Sequence, residues 1–262
     1  MGHLPDLPPE LVSLITEHLH NDKVALEALS LVCYALLQPC QALIFKRIKL
    51  WQAYIYGEGC LTNVAGMVRR ILLDQGGAQL LSYTRTLSLS WGQRLVSPYE
   101  LDDFYDYLLA FKNVRRLKIP LFATHYVRNP LTSPSCYFAH FQPTLCVLHL
   151  KTISSNPWDL VTFIAFFPLL EDVTVEMINV SHPYYVLPES EPKGVEPTSP
   201  SSFRGTLRLH QFRQAKGFVQ ELIKYRVQYH TLSFRNVTSR TRIQELIVAC
   251  APTLQVLDFA CE

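Results

Sequence analysis

Four residues are of the types a metal site would use: Cys136, His140, Cys146 and His149. Thiolate and imidazole are ordinary zinc ligands. Their placement works against a site. Cys146 and His149 belong to a segment that alternates as a strand, and residues three apart on a strand point to opposite faces. A single ion would reach both only if that strand were broken, so no metal and no cofactor is expected. Asp102, Asp103 and Asp106 form an acidic cluster on an expected helix. A catalytic carboxylate pair needs a pocket and a raised pKa, and a run of this kind is ordinarily a solvated face. Cys33 and Cys250 each lie on an apolar helix face, which suits buried, inert thiols. The sequence has no G-x-S-x-G, no H-E-x-x-H and no glycine-rich phosphate loop. No catalytic residue is assigned, and a binding role is expected instead of an enzyme.

The elements that position these residues come from pattern. Hydrophobic residues make up 48% of the 262, enough to bury a substantial core. A formal net charge of +2 gives no electrostatic reason to expect nucleic acid or an anionic membrane as the main partner. The seven cysteines are irregularly spaced and include no C-x-x-C pair, which suits reduced thiols in the cytosol or nucleus. Asp6 and Glu10 replace the basic start of a secretory signal. The longest apolar run, Leu160 to Leu170, is bounded by Asp159 and Glu171 and is too short for the roughly 20 residues that span a bilayer. Asn179-Val-Ser and Asn236-Val-Thr match glycosylation acceptors that have no export signal beside them.

From residue 84 onward one unit recurs: an anchor, two variable residues, then apolar-x-apolar. Its first apolar residue falls at 87, 117, 148, 173, 207, 232 and 257, so the steps are 30, 31, 25, 34, 25 and 25 residues. The alternation is that of a strand with one buried face. Helix patterns lie between the strands, at Tyr99 to Phe111, Pro157 to Phe167, Ala215 to Val227 and Arg240 to Ala251. Strand, loop, helix and strand in series argue for parallel strands with right-handed crossovers. Leucine-rich repeats run about 20–29 residues, and three of the steps fit. The fold class expected is α/β, a short irregular leucine-rich-repeat-like solenoid with parallel strands over 84–262, behind a helical module at 1–50.

Residues 51–83 are expected to form a helical linker, with Leu61 to Asp74 stopped by Gly76-Gly77 as a C-cap. Prolines at 183, 188, 192, 197 and 200 preclude a strand or helix near 182–203, so a mobile surface loop is expected there. Ser199-Pro200 lies inside it. The chain stops three residues after its seventh apolar pair. A solenoid ordinarily ends in a polar cap, so the last strand is expected to leave an open edge, and either a truncated gene product or poor behaviour of the isolated chain is expected.

The first fifty residues are built differently. Pro8 and Pro9 suit a first helical turn, and Glu10 meets the positive end of the dipole. Leu11, Ile15 and Leu19 form one apolar stripe. Asn21 and Asp22 are N-cap candidates for a second helix with Leu29, Val32, Cys33 and Leu36 on one face. Pro39 ends that helix or starts a third. Three short helices make a poor isolated core. Such leucine-rich helices serve either to dock a partner or to cap the solenoid.

The segments LPDLPPELVSLITEHL and LEALSLVCYALLQPC resemble an F-box, over about residues 4–50. Leu7, Pro8, Glu10, Leu11, Ile15, Leu19, Leu29, Leu31, Val32 and Cys33 fall on that family's pattern. The departure is Leu36, where the family ordinarily carries a tryptophan. The resemblance implies docking on the adaptor subunit of an SCF-type cullin–RING ubiquitin ligase, with Leu7, Pro8, Leu11, Ile15, Leu31 and Val32 lining the contact. It also implies that the repeats hold a protein target. Residues between or after the apolar pairs would face that target, namely Lys118, His149, Lys151, Arg208, His210 and Arg235. Their mildly basic character would suit an acidic peptide or degron.

Overall fold

The computed structural model describes residues 7–51, 68, 70–71, 77–90, 107–123, 138–154, 157–177, 205–211, 216–237 and 240–260. Among these the chain is α/β, with seven α-helices and eight β-strands. Every strand pairing described is parallel. No helix among the described residues is long and apolar enough to cross a membrane. The chain divides into two compact units, residues 1–114 and 115–262.

The first unit opens with α1 (Pro9–His18), α2 (Lys23–Ser30) and α3 (Tyr34–Ile44). Pro8 takes the N-cap of α1 and Pro9 its first turn, where a missing N–H costs nothing. Asp22 caps α2, its carboxylate accepting from the Ala25 N–H at 2.9 Å. The helical core is Val12, Leu26, Leu36 and Cys40, flanked by half-buried Leu7, Leu19 and Leu29. The stripe Leu11–Ile15–Leu19 does not pack as a unit: Leu11 and Ile15 are exposed, Leu19 lies against the core, and Val12 and Thr16 turn inward. Helix α1 is apolar on several sides, so periodicity alone does not say which side packs. Thr16 enters the core because its hydroxyl donates to the Val12 carbonyl at 3.0 Å. Nor does α2 run through Cys33. It ends at Ser30, and Cys33 is the extended N-cap of α3, with Pro39 inside that helix.

Helix α3 leads directly into β1 (Arg47–Trp51), which pairs with β2 (Thr86–Ser90) after the short helix α4 (Gly77–Ser82). Residues 47–50, grouped above with the helical module, therefore form an eighth apolar pair, Ile48 opposite Leu87 and Leu50 opposite Leu89. Residues 68, 70 and 71 are helical, and the rest of the expected Leu61–Asp74 helix lies outside the described residues. Gly77 does not end a helix but opens α4. A Cβ there would fall 1.4 Å from the Ile71 carbonyl oxygen, so only glycine permits this approach. Of the expected helix Tyr99–Phe111, residues 107 and 108 are helical and 99–106, with the acidic cluster, lie outside the described residues.

The second unit is β3 (Arg116–Ala123), a 3₁₀ turn (Ala139–Phe141), β4 (Val147–Ser154), α5 (Pro157–Ala165), β5 (Asp172–Met177), β6 (Thr206–His210), α6 (Lys216–Lys224), β7 (Thr231–Arg235), α7 (Arg240–Cys250) and β8 (Val256–Ala260). The strands lie side by side in chain order. Their register places the apolar pairs in two rows. Leu117, Leu148, Val173, Leu207, Leu232 and Leu257 are opposite one another, as are Ile119, Leu150, Val175, Leu209, Phe234 and Phe259. Both rows are buried through β7, and on β8 Leu257 and Phe259 are exposed. The loop expected near 182–203 lies outside the described residues.

A single backbone device starts most strands. The Arg115 carbonyl accepts from both Cys146 and Val147 N–H groups at 2.9 Å. The Cys146 carbonyl does the same for Glu171 and Asp172, Gly205 for His230 and Thr231, and His230 for Gln255 and Val256. Glu171 accepts from Thr206 at 2.7 Å. At that point a Cβ on Gly205 would lie 1.8 Å from the Glu171 oxygen, which explains the glycine. In the first unit Lys46 holds Arg85 and Thr86 in the same way. At these six positions the residue before one strand thus fixes the register of the next.

Candidate functional site

Two surfaces carry side chains available to a partner, one in each unit. On the first, the turn between α2 and α3 pushes aliphatic residues into solvent. Leu31 is 86% exposed and Val32 56%, beside exposed Val24 and Tyr34. Leu11, Leu14 and Ile15 on α1 are also exposed. An isolated exposed leucine needs no explanation, but seven large apolar side chains within about 25 residues of a three-helix module do. The core of that module is complete without them. Of the six residues assigned to adaptor docking, Leu11, Ile15, Leu31, Val32 and Pro8 are exposed, while Leu7 is half-buried and packs against the helical core. Leu36, the position of the family's tryptophan, is 1% exposed and belongs to that core. The side chain at that position therefore fills the interior of the module and is not part of its exposed face.

The second surface is the polar face of β3 to β8. Because strand residues alternate and register is parallel, Lys118, His149, Thr174, Arg208, Ser233 and Asp258 form one cross-strand row. The next row on the same face runs Lys151, Glu176, His210 and Arg235. All six residues expected to meet a target are therefore brought to one face. Lys118 and Arg235 are exposed and the other four half-buried.

Acidic neighbours alter the basic character read from the sequence. Lys151 Nζ donates to Glu176 Oε1 at 2.8 Å, and His149 Nε2 lies 3.9 Å from Glu176 Oε2. Arg208 pairs with Asp172. Ser233 Oγ donates to Asp258 at 3.0 Å. The centre of the face is thus internally neutralised. Lys118 and Arg235 form no ion pair among the described residues. Sequence reasoning left Asp172 and Glu176 out of the candidate set, although the alternation Asp172-x-Thr174-x-Glu176 puts both on this face.

The two histidines are held toward the neutral form. Burial is the main cause for His149, with Lys118 beside it adding to the effect and Glu176 opposing it. Burial is again the main cause for His210, followed by Arg235, with Glu176 opposing. The His210 Nε2 atom is sealed from solvent with no hydrogen-bond partner among the described residues, so charging that ring has a desolvation cost.

No group of three or more His, Cys, Asp or Glu that could hold a metal occurs among the described residues. Cys136 lies outside them. Cys40 and Cys250 are buried, and burial raises both thiol pKa values, which works against a thiolate nucleophile. Compared with protein-family models and with curated proteins, the chain gives no match. The arrangement by itself defines an α/β chain in which three N-terminal helices precede parallel strands laid down in chain order.

Proposed function

We propose that this chain is a substrate-recognition subunit of an SCF-type cullin–RING ubiquitin ligase. In this reading the N-terminal helices are an F-box that docks on the adaptor subunit. The strands and helices behind them form an irregular leucine-rich-repeat-like solenoid that holds a protein target. One observation carries the reading: Leu11, Ile15, Leu31 and Val32, which the F-box resemblance assigns to docking, stand outside a core that is already closed. A few well-buried anchors can supply most of the energy of a stable interface. No residue does chemistry in this scheme. Tethering raises the concentration of target lysines near a conjugating enzyme. A cytoplasmic or nuclear location goes with the reading.

The test is capture of the full chain by purified adaptor subunit. Wild type is expected to bind, and Leu11→Asp with Ile15→Asp, or Leu31→Asp alone, to lose capture at unchanged melting temperature. Equal capture of wild type and variants overturns the reading. A second reading, a ligase-independent scaffold in which the helices cap the repeats, is favoured by the direct join of α3 to β1. There the Thr84 hydroxyl donates to the Phe45 carbonyl at 3.1 Å. Under that reading the docking variants behave as wild type, and removal of the three helices alone, residues 1–44, leaves an aggregating remainder.

A further inference from the structure

We propose that the polar face of β3 to β7 binds an acidic peptide laid across the strands, with Lys118 and Arg235 as its outer anchors and His149 and His210 between them. The proposal rests on the reading of this face as the target site and names the chemistry of what it takes.

Charge complementarity selects the occupant. The middle of the face is neutralised by Lys151–Glu176 and Arg208–Asp172. Its flanks each keep an exposed cation without an ion pair among the described residues, Lys118 beside His149 and Arg235 beside His210. The matching ligand carries carboxylates at two separated points and polar, uncharged residues between. Lys118 on β3 and Arg235 on β7 are four strand steps apart. At about 4.8 Å per step that is about 19 Å, which an extended peptide covers in about six residues at roughly 3.3 Å each. Single-stranded nucleic acid is the weaker fit. It is held by aromatic platforms on which bases stack, and neither the row from Lys118 to Asp258 nor the row from Lys151 to Arg235 contains a Phe, Tyr or Trp.

The histidines make the site responsive to acidity. A ligand carboxylate at each flank, one beside Lys118 and His149 and the other beside Arg235 and His210, favours the charged form of the ring next to it, so binding takes up protons and tightens as pH falls. Glu176 faces both rings from β5, Lys151 and Lys118 flank His149, and Arg208 and Arg235 flank His210.

The experiment is fluorescence anisotropy of the full chain with a labelled peptide in which Asp-Glu pairs flank a Ser/Gly spacer of about four residues. A saturable signal is expected, tighter at pH 6.0 than at pH 7.5 and weakened by salt. The Asn/Gln version of the peptide, and the Lys118→Glu, Arg235→Glu variant with the acidic peptide, are each expected to bind at least about tenfold more weakly. Equal binding of acidic and neutral peptides overturns the proposal. So does undiminished binding by the variant, response to a phosphoserine peptide alone, or equally tight binding of an oligothymidine. Adaptor capture by the same double variant separates the two claims. If wild type is captured but binds no peptide, this proposal fails and the ligase reading stands. If peptide binds but wild type is not captured, the reverse holds. A circular-dichroism melt of the variant matching wild type shows that lost binding is not lost folding.

Discussion

Lys151 on β4 donates to Glu176 on β5 at 2.8 Å, across a parallel pair whose register sets the two residues opposite each other. The bond decides how the polar face is charged. It removes one cation that the sequence offered to a target, and it places a carboxylate between two histidines. Glu176 is only 18% exposed on its side chain, so the pair is shielded more than an ordinary surface ion pair.

The shielding has a pH consequence. His149 and His210 have pKa values lowered below the ordinary 6.5, in both cases chiefly by burial. In the unfolded chain they take up protons near that value, and in the folded chain only at lower pH. Their contribution to stability is therefore complete above about pH 6.5 and is lost as pH falls below it. Thermal melts are expected to show a falling melting temperature between pH 7.5 and pH 5, flattened in His149→Gln with His210→Gln. Because Glu176 raises both values, Glu176→Gln should move both imidazole titration midpoints still lower by NMR. Unmoved midpoints would remove Glu176 from the account.

Leu36 supplies a second prediction. Leu36→Ala empties part of a small core and is expected to destabilise by about 2–5 kcal/mol, measured by denaturant unfolding. Leu36→Trp is expected to overpack this core and cost about 1–3 kcal/mol. It should bring no gain in adaptor capture, because the side chain does not reach the outer face. Tighter capture by Leu36→Trp would contradict that placement.

Two backbone positions are expected to respond in opposite directions. Gly205→Ala sets a methyl group against the Glu171 carbonyl and should destabilise by about 1–3 kcal/mol. Arg226, just beyond α6, has φ of 51°. A non-glycine residue in that region is strained, so Arg226→Gly should gain about 0.5–1 kcal/mol after its own chain-entropy cost. Paired thermal melts check both signs.

The helix cap of α2 can be tested apart from any partner. Asp22→Ala leaves the Ala25 N–H without its acceptor and is expected to cost about 1 kcal/mol. Asp22→Asn, which can still accept that bond, should recover most of it.

The seven apolar pairs from Leu87 to Phe259 were legible because burial on one face of a strand imposes a strict alternation, and the observed register aligns those from Leu117 to Phe259 row by row. The pair Ile48 and Leu50 has the same alternation. It escaped notice because it follows a helix without any intervening turn signal, and so reads as the tail of the helical module. The inward face of α1 was not legible, since Leu11, Val12, Leu14 and Ile15 surround the helix with apolar groups and tertiary packing chooses among them. Nor was the neutral centre of the polar face. Glu176 is 25 residues from Lys151 and Asp172 is 36 residues from Arg208 in sequence, and only parallel register makes them neighbours.

The shared carbonyls at Arg115, Cys146, Gly205 and His230 let register be set where each strand begins, whatever the length of chain that came before. Excursions between strands are then free to vary, since doubling a flexible loop costs only about 0.6 kcal/mol. A chain assembled in this way can accept inserted segments between strands over time, changing what its rim displays while the alignment of every later strand is preserved.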